Sequence, residues 1–262
     1  TKVEIERDFQ PELAALAARN KLTYEQTVNE MTKRYDGYHF SEFLADGIYN
    51  PFSVLNALVQ ERFSSYWFAT GTPTMLVDML KKTDYDLRQL DGIEVPAAAL
   101  TDYRADFHNP VPIIYQSGYL TIKGYDPIKN FFILDYPNAE VEYGWLNFIT
   151  PYYTPLSESI APFYIGKFWD ELRAGDVDAF MERLRAFFAD IPYELNDRTE
   201  QHYQIIFYLV FKLLGQYIEA EVRSARGRAD AVVKTTGYIY VFEFKLDGSV
   251  DKALQQIDDK GY

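Results

Sequence analysis

Cysteine is missing from all 262 residues. Its absence excludes disulfides and every metal centre built on thiolates, structural zinc of the Cys type included. A reducing, cytoplasmic setting is the expectation that fits. The opening stretch TKVEIERDFQ lacks the basic-then-apolar layout of a secretory signal. No uninterrupted apolar run approaches the ~20 residues needed to cross a bilayer, so no membrane partner is expected. Histidine is scarce. His39, His108 and His202 stand far apart with no His-x-x-x-His spacing, and packing or surface roles suit them better than ligation. There is no Gly-x-Ser-x-Gly elbow to present a serine nucleophile. A Gly-x-x-x-x-Gly-Lys-Ser/Thr run is also lacking, and ATP hydrolysis by this chain alone is not expected.

Basic residues are in deficit, 26 against 39 acidic, for a formal net charge of −13. Such a chain does not attract polyanions indiscriminately. The imbalance is uneven, however. Glu221 to Lys260 holds seven basic and seven acidic residues, leaving 19 and 32 elsewhere. Any site for a polyanion is therefore expected in this neutral stretch.

What is abundant is apolar and aromatic surface: 48% hydrophobic residues, with 22 Tyr and 19 Phe. That is enough to bury a real core. The first part reads as short helices. Thr23 is placed to cap one running through Arg34, and Pro51 opens another with Val54, Leu55, Leu58 and Val59. A third carries Met75, Leu76, Met79 and Leu80 on one face. Tyr119–Lys123 and Phe131–Leu134 are β-prone runs around Asp126–Asn130, which predicts a hairpin. A hairpin after short helices suggests a winged-helix-like unit. Its poverty in basic residues favours packing over nucleic-acid contact.

Leu156–Pro162 is the expected boundary, giving domains 1–155 and 156–262. Beyond it Val177, Phe180, Met181, Leu184, Phe187 and Phe188 follow helical spacing, ended by Ile191-Pro192. A second stripe runs Ile205, Ile206, Leu209, Val210, Leu213, Leu214 and Tyr217. Three strands are then predicted, at Ile218–Arg223, Arg228–Val233 and Tyr238–Lys245, before a helix with Val250, Leu254 and Ile257. Period two sets Ile239, Val241, Glu243 and Lys245 on one face of the last strand, with Tyr238, Tyr240, Phe242 and Phe244 on the other. Two charges ending an apolar row need partners or a metal. Alone, Glu-x-Lys on a strand is weak evidence, because edge strands carry such pairs against aggregation. Asp230 on the neighbouring strand supplies the natural partner.

An acid on one strand followed by Glu-x-Lys on the next, here Asp230 then Glu243-Phe244-Lys245, resembles the PD-(D/E)XK nuclease superfamily. The surrounding residues Gly227–Val232, Tyr240–Lys245, Ala253–Ile257 and Lys260–Tyr262 are similar to a bacterial family that joins an AAA-ATPase-like domain to a C-terminal PD-(D/E)XK nuclease-like domain. The resemblance extends through Tyr35-Asp36-Gly37-Tyr38, Tyr49-Asn50-Pro51, Tyr66-Trp67-Phe68, Thr70-Gly71-Thr72-Pro73 and Gln116-Ser117-Gly118-Tyr119-Leu120, and so covers nearly the whole chain. It implies a mixed α+β fold, with the tail and lid of an ATPase-like domain followed by a restriction-endonuclease-like αβββα core.

It also implies roles. Asp230 and Glu243 would bind Mg²⁺ or Mn²⁺, with the Phe244 carbonyl as a further ligand. Lys245 would orient the attacking water and stabilise charge on the phosphate. Glu221 matches an extra acid near the metal, and Gln256 a glutamine that completes the site. Arg228 is our own assignment as a phosphate contact. Ala229 stands where the motif has proline, and the expected fourth strand has no counterpart before Tyr262. The implied partner is nucleic acid, DNA before RNA, with contacts to another copy or to an ATPase domain. The alternative is a nuclease fold retained as a catalytically inactive interaction module.

Overall fold

The computed structural model describes residues 1–43, 46–68, 74–83, 85–101, 109–154, 157, 160–191, 200–215 and 231–243. Its contacts divide the chain into two compact units, Thr1–Trp145 and Leu146–Tyr262. The boundary expected from the sequence is 155/156.

Within the first unit, α1 (Lys2–Asp8), α2 (Gln10–Asn20), α3 (Tyr24–Tyr35) and α4 (Pro51–Gln60) gather around one apolar cluster. Local chemistry sets their ends. Thr23 and Gln26 close a reciprocal capping box at the start of α3. Asn50 accepts from the amides of Phe52 and Ser53 ahead of Pro51 at the first turn of α4. Leu13, Leu16, Met31, Tyr35 and Ala57 are completely buried there. Two helix faces differ from their expected ones. On α4, Ser53, Val54, Ala57 and Leu58 turn inward while Leu55 and Val59 face solvent. On α5 (Thr74–Lys82), Val77 takes the core place expected of Met75. Helical spacing marks a stripe of positions, and packing decides which edge of the stripe is covered.

The hairpin is formed by β2 (Thr121–Asp126) and β3 (Phe131–Asp135), with Asn130 in the left-handed region at its turn. A further strand, β1 (Ile93–Pro96), adds to the free edge of β3 and makes an antiparallel sheet in the order β1-β3-β2. Its closing proline, on an edge strand, costs the sheet no central bond. The short helices α6 (Ala97–Thr101) and α7 (Val111–Gln116) and the longer α8 (Ala139–Ile149), within which the division falls, complete this part. A bulge between Ile122 and Gly124 leaves Lys123 outside the pairing, and its amine donates to the Gly37 and Pro137 carbonyls at 3.1 and 2.9 Å.

In the second unit α9 (Ala161–Ala174), α10 (Val177–Ala189) and α11 (Glu200–Leu214) carry an aromatic core. Phe168 lies 5.3 Å from Phe180 and 6.2 Å from Phe187, centroid to centroid. Gly175 ends α9 at φ 79°, and a Cβ there would lie 2.6 Å from the Tyr238 ring. The stripe of α11 is buried as expected from Ile205 to Leu214, and Tyr217 lies outside the described residues. On α10, Phe180, Leu184 and Phe187 are buried, whereas Val177 and Met181 are exposed. The fold is mixed α and β, as the sequence implied. No described helix is long and apolar enough to cross a membrane.

Candidate nuclease-type site

Two short strands form the described part of the site. Strands β4 (Ala231–Lys234) and β5 (Ile239–Phe242) pair antiparallel, with Ala231 opposite Phe242, Val232 opposite Val241, Val233 opposite Tyr240 and Lys234 opposite Ile239. The connection Thr235–Tyr238 is tied at its neck. The Thr235 amide donates to the Tyr238 carbonyl at 2.8 Å, and the Tyr238 amide donates to the Thr235 hydroxyl at 3.0 Å. Val, Ile and aromatic residues at alternating positions make this pair β-prone.

The ladder has two unlike faces, as period two predicts. On one, Val233 is fully buried, and the Tyr240 hydroxyl donates to the Leu172 carbonyl at the end of α9 at 2.7 Å. Phe242 packs 4.8 Å from Phe211 and 5.5 Å from Phe180. Burial beside Tyr238 holds the Tyr240 phenol above its usual range. The opposite row runs from Ile239, 68% exposed, to Val241, which is half-buried. Glu243 follows in sequence at the same spacing, and its Oε2 is shut away from solvent.

Glu243 is the member of the expected site that falls within the described residues. Asp230, Lys245, Glu221, Gln256, Arg228 and Phe244 lie outside them. Asp230 is joined to Ala231 and Phe244 to Glu243, so the Ala231–Phe242 pair ends the described ladder beside both halves of the motif. Among the described residues, no group of three or more His, Asp or Glu side chains could hold a metal. Phe180, Phe211 and the Leu172 carbonyl carry the ladder, and no motif marks them. The available signal was the Tyr240-x-Phe242 alternation, which marks a face needing a large apolar partner.

Residues 198–262, a span that includes α11, β4 and β5, match the sequence profile of the PD-(D/E)XK nuclease superfamily. The similarity is to a nuclease-type domain, and nucleases of that superfamily typically use divalent metals. The whole chain is 32% identical, over 271 aligned residues, to "Uncharacterized protein in vnfD 5'region" of Azotobacter chroococcum mcd 1. The chain spans 50% of that relative's length. No solved structure matches the chain.

Proposed function

We propose that the C-terminal region hydrolyses phosphodiester bonds of nucleic acid at a divalent-metal site, within a longer protein that also carries an ATPase-like module. One observation carries the reading. The span matching the nuclease superfamily contains a described two-stranded ladder whose end pair, Ala231 and Phe242, is flanked in sequence by Asp230 and Glu243. The carboxylate donors and the Phe244 carbonyl are hard oxygens, the set that Mg²⁺ and Mn²⁺ prefer. Bound there, the ion would polarise the phosphoryl oxygen and make water a better nucleophile.

In this reading Asp230 and Glu243, with the Phe244 carbonyl, would hold the divalent ion beside the reacting phosphate group, and Glu221 and Gln256 complete the polar surround. Lys245 holds the attacking water in line and offsets the negative charge that builds on phosphorus. Water oxygen bonds to phosphorus, the bond to the leaving oxygen breaks, and the proton released by water ends on the leaving group. Arg228 steadies a neighbouring phosphate. The ladder's apolar underside, pinned to Phe180, Phe211 and the Leu172 carbonyl, gives the strands that bear these groups a rigid seat. For the first unit we keep the reading of an ATPase-like tail and lid, its β1-β3-β2 sheet being the winged-helix-like element.

Cleavage assays on duplex DNA, single-stranded DNA and RNA with Mg²⁺, Mn²⁺ or EDTA test the proposal. Metal-dependent cleavage is expected, reduced about 10²-fold or more in Asp230→Ala and in Glu243→Ala. Equal rates for wild type and both variants overturn it. The net charge of −13 favours a second reading, an inactive nuclease fold used for assembly. That reading predicts no metal-dependent cleavage of any of these substrates.

A further inference from the structure

The first unit contains an open groove of about 370 Å³ that the nuclease reading does not use. It forms where four segments distant in sequence meet: Tyr38–Phe40, Ile48–Pro51, Trp67 and Gln116–Gly118. Tyr38, Phe40, Trp67 and Pro51 line it beside the largely buried Tyr49, and Asn50, Gln116 and Ser117 supply the polar groups. None of the described lining residues carries a charge.

These walls are held in place from behind. Tyr38 and Ile48 exchange backbone hydrogen bonds at 3.2 and 3.0 Å, closing the His39–Gly47 excursion. The Thr121 hydroxyl clamps the base of that loop, accepting from the His39 amide and donating to the His39 carbonyl, both at 2.8 Å. The Tyr49 hydroxyl lies 2.7 Å from the Thr32 hydroxyl. Trp67 is fixed by its amide, which donates to the buried Glu140 carboxylate at 2.8 Å, and by an edge-on contact with Tyr119 at 5.2 Å. The groove is preformed. Two apolar lining residues are uncovered: Phe40 stacks on Tyr38 at 6.3 Å yet is 70% exposed, and Ile48 is about half exposed.

We propose that this groove docks an extended, proline-bearing peptide segment of a basic partner protein. Uncharged aromatic walls beside a proline suit the rings of a polyproline II strand, which is already extended and loses little entropy on docking. Such a strand leaves its carbonyls without internal partners, and the exposed Gln116 and Ser117 side chains are donors for them. The charge on the partner follows from the stretch of chain between the lining residues Phe40 and Ile48. The His39–Gly47 loop carries the exposed Glu42 and Asp46 and no Lys or Arg, on a chain of net charge −13. A second copy of this chain brings like charge, and a phosphate backbone is repelled.

Fluorescence anisotropy decides the matter, using the 262-residue chain and three labelled probes: an arginine-flanked proline-rich decapeptide, its glutamate-flanked counterpart, and a dT oligonucleotide. The arginine-flanked peptide is expected to bind most tightly. Phe40→Ala and Gln116→Ala, both at exposed positions, should each weaken it about fivefold, as loss of an interface anchor does. Met181→Ala, on α10, should leave binding unchanged, with circular dichroism confirming that all variants are folded. The proposal is overturned by absent peptide binding, by equal binding of the glutamate-flanked peptide, by unchanged affinity in both groove variants, or by oligonucleotide binding that both groove variants weaken.

Discussion

Each unit is held together internally by a different chemistry. In the first, side chains tie backbone segments that lie far apart in sequence. Thr121 grips both polar groups of His39, Lys123 donates to Gly37 and Pro137, Glu140 accepts from the Trp67 amide, and the Tyr35 hydroxyl donates to the Ser64 carbonyl at 2.8 Å while accepting from the Ser64 amide. In the second, rings do this work, through the Phe168, Phe180, Phe187, Phe211 and Phe242 contacts. Directional bonds hold irregular loops in one shape, which suits a groove assembled from turns. Ring packing buries large apolar surfaces between regular elements and stiffens them, which suits a seat for a two-stranded ladder. Removing a ring should therefore cost stability, and removing a clamp should cost loop geometry as well.

The sharpest break of this contrast is Phe180→Ala. Phe180 is completely buried and touches Phe168, Phe211 and Phe242, so its truncation is expected to cost about 3–5 kcal/mol. Urea unfolding followed by circular dichroism measures this, and a loss below about 1 kcal/mol would show that the ring cluster is not what stabilises the second unit. Thr121→Val comes next. It keeps the shape but strands two polar groups of His39, for a cost of about 1–3 kcal/mol. Amide exchange of the His39–Gly47 loop should quicken in that variant, and unchanged exchange contradicts the clamp.

Glu140 gives a smaller effect whose sign depends on pH. Burial raises its carboxyl above the ordinary 4.5, opposed by its hydrogen bond from the Trp67 amide. The folded chain therefore favours the protonated form. That contribution is fully present below 4.5 and is lost as pH rises through the raised value. Glu140→Gln keeps an acceptor for Trp67 and does not titrate. The stability of wild type relative to this variant should decline as pH climbs from 4.5 toward neutrality, and a flat or rising difference refutes the assignment. Smallest of all is Met181→Ala, one position from Phe180 but half exposed, at no more than about 0.5 kcal/mol. A comparable cost for the two neighbours would erase the distinction between the faces of α10.

Features written in local chemistry were legible in the sequence. The Thr23 cap, the Pro51 helix start, the α11 stripe and the hairpin each depend on residues a few positions apart. Features that depend on distant partners were not. Strand β1 is four residues closed by a proline and exists because β3, far along the chain, offers an edge. The facing of Leu55, Val59, Met75, Val177 and Met181 was misjudged for a related reason: spacing at i, i+3, i+4 marks a stripe but not which edge of it meets a neighbour. For the site, period two gave the correct two faces of β5, because alternation is a property of the strand itself. The assignments of Asp230, Lys245, Glu221 and Gln256 rest on motif order, which specifies chemistry without specifying distance.

Calorimetric titration of Mn²⁺ into the 262-residue chain, and into Asp230→Asn and Glu243→Gln, bears most directly on the proposed metal site. The account predicts saturable binding to the wild-type chain that weakens about tenfold or more in each variant while circular dichroism stays unchanged. Heats that are the same for all three proteins would contradict it.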